Sequence, residues 1–226
     1  MDLLNIKINR IMCYFFSLAE EEIRLQKRYN AKFEIYGKLE QRRIINGFTF
    51  PETIILTNET PNLLRFFNWG LIPQWCESKK EALEIRQYTL NARLETIFEK
   101  PAFRESAHHR RCLVPVNAFY EWKHEGSKKI KHLIKLIDHE IFSLGGLWSE
   151  WVDKDTGEIF RTFTIVTMPA NSLMASIHNT KKRMPVMLPA EIEFEWLKDD
   201  NNFAQLREIA NFCTEDRLWA APYDPE

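Results

Sequence analysis

Three things are missing from this 226-residue chain: paired cysteines, a long apolar run, and an excess of charge of either sign. The four cysteines, Cys13, Cys76, Cys112 and Cys213, stand far apart, with no C-x-x-C pair and no histidines at finger spacing. That pattern signals neither a disulfide framework nor a zinc site. It predicts a reducing compartment, with the last three thiols packed as small apolar groups. The adjacent His108 and His109 have no partners at ligand spacing, so no metal is expected, and nothing calls for a cofactor. The opening "MDLLNIKINRI" lacks the apolar stretch and cleavage site of a secretory signal, and no later run approaches membrane-spanning length. A cytoplasmic protein with no membrane contact is expected. No repeat, low-complexity tract or linker divides the chain, so it reads as one domain.

A net charge of −1 with a pI near 6.6 argues against a nucleic-acid binder taken as a whole. The charge is uneven, however: residues 100–135 hold nine Lys or Arg against three Glu, and residues 181–226 hold six against ten acidic. Hydrophobic residues make up 45% and aromatics 13%, enough for a core with aromatic faces left over for stacking. "IMCYFF" reads as a strand with Cys13 on or beside it, and Ser17 with Glu20 three residues on predicts a capped helix through about Tyr29. "TIILT" reads as a strand and "KEALEIRQ" as a short helix. Residues 129–167 read as successive strands with a turn at "DKDTGE". A helix over 171–177 delivers His178 at its end, and "AEIEFEWLK" and "FAQLREIANF" read as surface helices. The expected fold class is α+β: a single domain, mainly antiparallel sheet in a barrel-like core with peripheral helices.

Several side chains stand where chemistry could use them. Glu121 in "FYEW" is either a solvent-facing residue of an alternating strand or a carboxylate stripped of water beside Tyr120 and Trp122, with a raised pKa suited to proton transfer. His178 is either a helix-end cap or a proton handler. Asn91 and Arg93 lie two apart, on one face if extended, offering a neutral hydrogen-bonding group and a phosphate ligand. Trp69 and Trp75 flank a proline-shaped loop that either packs in the core or stacks on unpaired bases.

Taken in order, "MC", "WGLIP", "NAR" with "ET", "RRCLVP", "FYEW", "LGGLW", "IH" and "RMPV" form a set spanning roughly residues 12–190. This set resembles the SOS response-associated peptidase (SRAP) family, the abasic-site shielding proteins of bacteria and eukaryotes. The resemblance implies a DNA damage response role: sensing abasic sites in single-stranded DNA and linking covalently to them through the cysteine that follows the initiator Met, here Cys13. The chemistry follows from the groups. An α-amine condenses with the ring-opened sugar aldehyde to an imine, and the neighbouring thiol closes a five-membered thiazolidine. The α-amine suits this because its pKa is about 7.7–8.0, against about 10.4 for lysine.

By the same resemblance, Glu121 is the acid/base, His178 the second proton handler, and Asn91 the group that positions the cysteine or the sugar. Arg93 holds a flanking phosphate, and Trp69 and Trp75 lie in a loop turned to DNA. The basic segment 100–135 with Lys181, Lys182 and Arg183 forms a backbone track. No motif identifies a replication-fork partner. The chain departs from the family at three points. Tyr14 and Phe15 replace the usual Gly-Arg after the cysteine. The interval between His178 and Arg183 is longer than usual, which displaces His178 or lets Lys181 and Lys182 supply charge. Residues 1–11 precede Met12, and while they are attached Cys13 has no free amine. The expectation is an active domain of residues 12–226, with 1–11 an upstream start or a leader lost by cleavage at Met12-Cys13. Two rival functions remain at this point: a cysteine endopeptidase with Cys13, His178 and Asn91 as its machinery, and a single-strand binding module in which Cys13 is incidental.

Overall fold

A computed structural model describes residues 13–224; the expected leader and Met12 fall outside them. The chain runs through β1 (Phe15–Leu18), α1 (Glu22–Tyr29), β2 (Lys32–Phe33), β3 (Arg42–Asn46), β4 (Glu52–Thr57) and β5 (Leu63–Trp69). It continues with α2 (Lys79–Arg86), β6 (Asn91–Arg93), α3 (Arg104–His109), β7 (Arg111–Val116), β8 (Ala118–Glu125) and β9 (Lys128–Leu136). The last part holds β10 (Phe142–Val152), β11 (Ile159–Pro169), α4 (Ser172–Ile177), β12 (Arg183–Pro185), β13 (Met187–Leu188), α5 (Phe203–Ala210) and β14 (Leu218–Pro222).

Two sheets result. One is a five-stranded antiparallel sheet in the order β14-β9-β8-β1-β3. In the other, β11, β10, β7, β4 and β5 follow one another, and β5 pairs back onto β11 in parallel at Phe163 and Trp69, closing a barrel. The expected α+β class with a barrel-like core and peripheral helices is what the chain adopts. A closed wall, covered on both faces, needs apolar residues without alternation. β4 accordingly buries Ile54, Ile55 and Leu56 completely, each contributing about 1.5–3 kcal/mol. Pro115 is tolerated inside β7 because β4 pairs only as far as Leu113, leaving one side of the strand free at the proline. The "GG" of β10 is required by close approach. A Cβ on Gly146 would stand 2.8 Å from both Cys112 Sγ and the Thr164 carbonyl, and one on Gly145 would stand 3.1 Å from the Trp196 ring.

Two expected elements are corrected. Ser17 and Glu20 are not a capping box: Ser17 belongs to β1, whose Phe16 pairs with Ile45 on one side and Phe119 on the other, and α1 starts later at Glu22. Sheet pairing on both edges outweighs the local cap, and Glu20 instead accepts from Asn117 at 2.7 Å and pairs with Arg24. A capping box does form at α5, between Asn202 and Gln205. "AEIEFEWLK" is not a surface helix but a short 3-10 turn, Glu193–Leu197, that buries Trp196 against the β10 glycines. It also buries Glu193 against Arg28 and Ser143. Among the described residues, no helix is long and apolar enough to cross a membrane.

Candidate functional site

β6 adds to β11 in parallel beyond the barrel, with Asn91 opposite Ile165 and Arg93 opposite Thr167. This puts the Asn91 side chain under the start of β1, where its Nδ2 donates to the Cys13 carbonyl at 3.0 Å. On the other side of β1 runs β8, paired through Phe15 and Tyr120. Glu121 therefore emerges beside Cys13, near enough that its carboxyl adds to the burial that pushes the Cys13 thiol well up. Cys13, Asn91, Glu121 and His178 are all buried.

Glu121 faces inward, opposite His132. Neighbours along a strand point to opposite faces, so the flanking Tyr120 and Trp122, expected to strip its water, do not. The interior does so, and burial pushes the carboxyl up to about 8, with the Trp122 backbone N–H pulling the other way. Glu121 Oε1 and Asn91 Oδ1 are buried acceptors with no hydrogen-bond partner among the described residues. An unsatisfied buried acceptor costs about 1–3 kcal/mol. Two of them beside one thiol mark a place arranged for something other than stability.

α4 starts at Ser172, one residue after the expected start, because Asn171 caps it, its side chain accepting from the Met174 N–H at 2.9 Å. It ends at His178, whose Nδ1 lies 2.8 Å from the Arg183 carbonyl oxygen. The extra residues before Arg183 do not displace the histidine from this end. They loop outward and close back, Lys182 N–H donating to the His178 carbonyl at 2.9 Å, with Lys181 and Lys182 exposed. Asn179 fastens the loop to β8 through both the N–H and the C=O of His124.

The residues expected on DNA divide. Arg93 is exposed and, with Asn91, lines a groove of about 540 Å³ that also holds Tyr88, Lys100 and Phe103. Trp75 is 47% exposed and donates from Nε1 to the Pro101 carbonyl at 3.0 Å. It lines a second groove of about 350 Å³ with Arg104 and Arg110, and the two grooves share Pro101 and Ala102. Three expected contacts are corrected. Trp69 is fully buried, its ring against Phe16 and Phe163 and its N–H donating to the Leu90 carbonyl at 2.7 Å, so no face is free for a base. Arg183 is mostly buried, paired with Glu95 and donating to the Thr167 carbonyl at 2.7 Å. Arg111, inside the basic segment, is fully buried and caps the carbonyls of Ala107, His108, Trp196 and Lys198. Tyr88, 64% exposed on the groove beside Arg93, lies in no motif that marks it in the sequence.

The family model described as SOS response associated peptidase (SRAP) matches residues 12–224. The chain is 39% identical over 148 residues to the abasic site processing protein YoqW of Bacillus subtilis (strain 168), an alignment covering 65% of this chain and 62% of that protein. The chain thus spans somewhat under two thirds of that relative's length. It is 26% identical over 159 residues to the abasic site processing protein HMCES of Xenopus tropicalis, covering 62% of this chain and 46% of that one. A crystal structure of a protein from Bacteroides thetaiotaomicron superposes with a TM-score of 0.89 at 39% identity, over 94% of this chain and 92% of that one.

Proposed function

This chain belongs to the SOS response associated peptidase (SRAP) family, and on that premise we propose that it captures abasic sites in single-stranded DNA through a covalent link to Cys13. The observation that carries the reading is the pair of orphaned buried acceptors, Asn91 Oδ1 and Glu121 Oε1, on either side of that cysteine. The active form is a domain that begins at Cys13, reached by translation from Met12 and removal of the methionine, or by cleavage between Met12 and Cys13.

Asn91 already holds the Cys13 carbonyl, so its free Oδ1 is placed to accept from the α-amine of the same residue and aim its lone pair. Glu121, protonated near neutral pH, donates to the sugar ring oxygen as the aldehyde opens, and the proton of the anomeric hydroxyl passes to His178. The amine adds to the aldehyde carbon, one of its N–H protons passing to the oxygen, and the hydroxyl formed there leaves as water with the proton returned by His178, giving the iminium. The Cys13 sulfur then bonds to that carbon while its proton passes to the Glu121 carboxylate. The product is protein plus DNA less one water. His178, at the end of α4, is the second proton handler, and Arg93 holds a phosphate at the mouth of the groove. Trp75 and Tyr88 offer stacking faces along the same path.

The test is the intact mass, under denaturing conditions, of the protein mixed with an oligonucleotide carrying one abasic site, beside an unmodified control. The expected product weighs the chain from Cys13 onward plus DNA minus one water, and appears only with the lesion. A chain starting at Cys13 that gives no adduct refutes capture. Processing is read from the same measurement on a Cys13→Ala chain: a leader lost only when Cys13 is present identifies self-cleavage.

A further inference from the structure

The outward face of the five-stranded sheet is not used by the site just described. Residues paired across antiparallel strands point to the same side, so Trp122 shares this face with Lys131, His124 with Lys129, and Trp219 with Lys135. Glu121 and His132 point the other way, inward. On this face β9 offers Lys129, Lys131 and Lys135, and the facing positions of β8 and β14 contain no Asp or Glu. The protein as a whole carries a charge of −1.

Aromatic rings are interleaved with these lysines. The Lys131 ammonium lies 4.1 Å from the Tyr120 ring centre, 4.9 Å from that of Tyr223 and 5.7 Å from that of Trp122. Lys135 lies 6.0 Å from the ring centre of Trp219, which is 46% exposed. Lys129 carries the charge to the β8–β9 turn, and β8 is held there to the loop carrying Lys181 and Lys182 by the Asn179 bridge.

We infer that this sheet face is a second polynucleotide contact, which takes the DNA strand as it runs on from the capture site. This rests on the reading above that the chain engages DNA. Alternate residues on a strand stand about 6.6 Å apart, comparable with successive phosphates along an extended polynucleotide. Charge at that spacing, beside the exposed Trp219 ring and the half-buried Trp122 ring, suits a chain of phosphates and bases better than an acidic peptide, which has no planar groups to stack. The face also continues the site. Cys13 lies two residues before Phe15, and the Phe15 ring packs edge-on against Trp122 at 4.9 Å, so a strand leaving Cys13 meets Trp122 first and the lysines next.

The experiment measures binding of a lesion-free oligothymidylate by fluorescence anisotropy across a range of salt concentrations. The proteins are the unaltered chain, Lys129→Ala/Lys135→Ala and Lys129→Arg/Lys135→Arg. Both lysines are exposed, so neither double variant disturbs packing. Loss of two phosphate contacts lowers the slope of log K against log salt by about 1.4, and the arginine variant restores it. Trp219→Ala weakens binding about fivefold or more at fixed salt. An unchanged slope in the alanine variant overturns the inference. So does a polyglutamate peptide that competes as well as an oligonucleotide of equal charge, which would make the occupant acidic protein. The two readings fail separately. An abasic adduct with an unchanged slope refutes the sheet contact alone, and a slope change without any adduct refutes capture alone.

Discussion

Replacing Glu121 by Gln should make the protein more stable and less active, and the gain should depend on pH in a calculable way. Glu121 is buried, its carboxyl raised from an ordinary value of 4.5 to about 8 by loss of water. Between those two values the unfolded chain gives up the proton and the folded chain keeps it. The folded state therefore binds more protons there, and stability falls as pH rises. Below about pH 4.5 both states are protonated and the contribution is fully present; above about 8 both are ionised and the loss is complete. The slope within the window is about 1.4 kcal/mol per pH unit, so from pH 5 to pH 7 the unaltered protein loses about 2.5 kcal/mol that the Gln variant keeps. Urea unfolding of both proteins at pH 5, 6, 7 and 8 measures this, provided the denaturant slopes agree, since then the midpoint difference is a stability difference. Parallel stability–pH curves for the two proteins would refute the argument, because they would mean that Glu121 is already ionised in the folded state. A stable variant that forms adduct as fast as the unaltered protein would refute the proton-transfer role and leave the burial argument standing.

The rate of capture should follow a bell in pH with its top near 8, since the α-amine must be unprotonated, at about 7.7–8.0, and Glu121 protonated, below about 8; a rate still climbing at pH 10 contradicts this. The two tryptophans of one loop should separate. Trp75→Ala should weaken oligonucleotide binding by about 1–3 kcal/mol with little change in the unfolding midpoint. Trp69→Ala should destabilise the fold by about 3–5 kcal/mol through the cavity left between Phe16 and Phe163. Arg183→Ala should lower the stability of the protein by about 2–3 kcal/mol without changing the salt slope of DNA binding, because its charge is spent on Glu95; a shallower slope would make it a phosphate contact.

What could be read in the sequence was decided over short range. The helix that ends at His178, the strand succession after residue 128 and the turn at Asp153 all rest on neighbours a few residues apart, and each forms where expected, the helix one residue shorter because Asn171 caps it. Ser17 and Glu20 misled because the decisive partners, Ile45 and Phe119, are remote in the chain, and no local pattern reports that a segment will be paired on both edges. The same limit explains Trp69, Arg183 and Arg111. An aromatic or a cation has the same letter whether it meets solvent or a carbonyl brought in from elsewhere, such as that of Lys198 against Arg111. Asn91 and Glu121 could be singled out by type and by resemblance. That Asn91 grips the Cys13 carbonyl, and that the interior rather than the adjacent rings raises Glu121, required the register of β6 on β11 and of β8 on β1.

The state of the Cys13 thiol bears on the choice between capture and peptide hydrolysis. A cysteine endopeptidase uses its sulfur as the first nucleophile and needs it as thiolate at neutral pH, a form favoured by a nearby cation or a helix N-terminus. Here burial and the Glu121 carboxyl push the thiol the other way. Asn91, the group that would orient a catalytic imidazole, is engaged instead with the cysteine's own carbonyl, and His178 Nδ1 meets the Arg183 backbone. A sulfur used second is under no such demand. Once the amine has formed the iminium, the electrophilic carbon is tethered two bonds from the Cys13 α-carbon, and the high effective concentration of that ring closure compensates for a small thiolate fraction. In the proposed capture the proton shed by the sulfur goes to a carboxylate that has just given one up, a return transfer that a group with a pKa near 8 performs at little cost near neutral pH. The features that would cripple a thiol protease are no obstacle to the proposed order, in which an amine acts first and a thiol last.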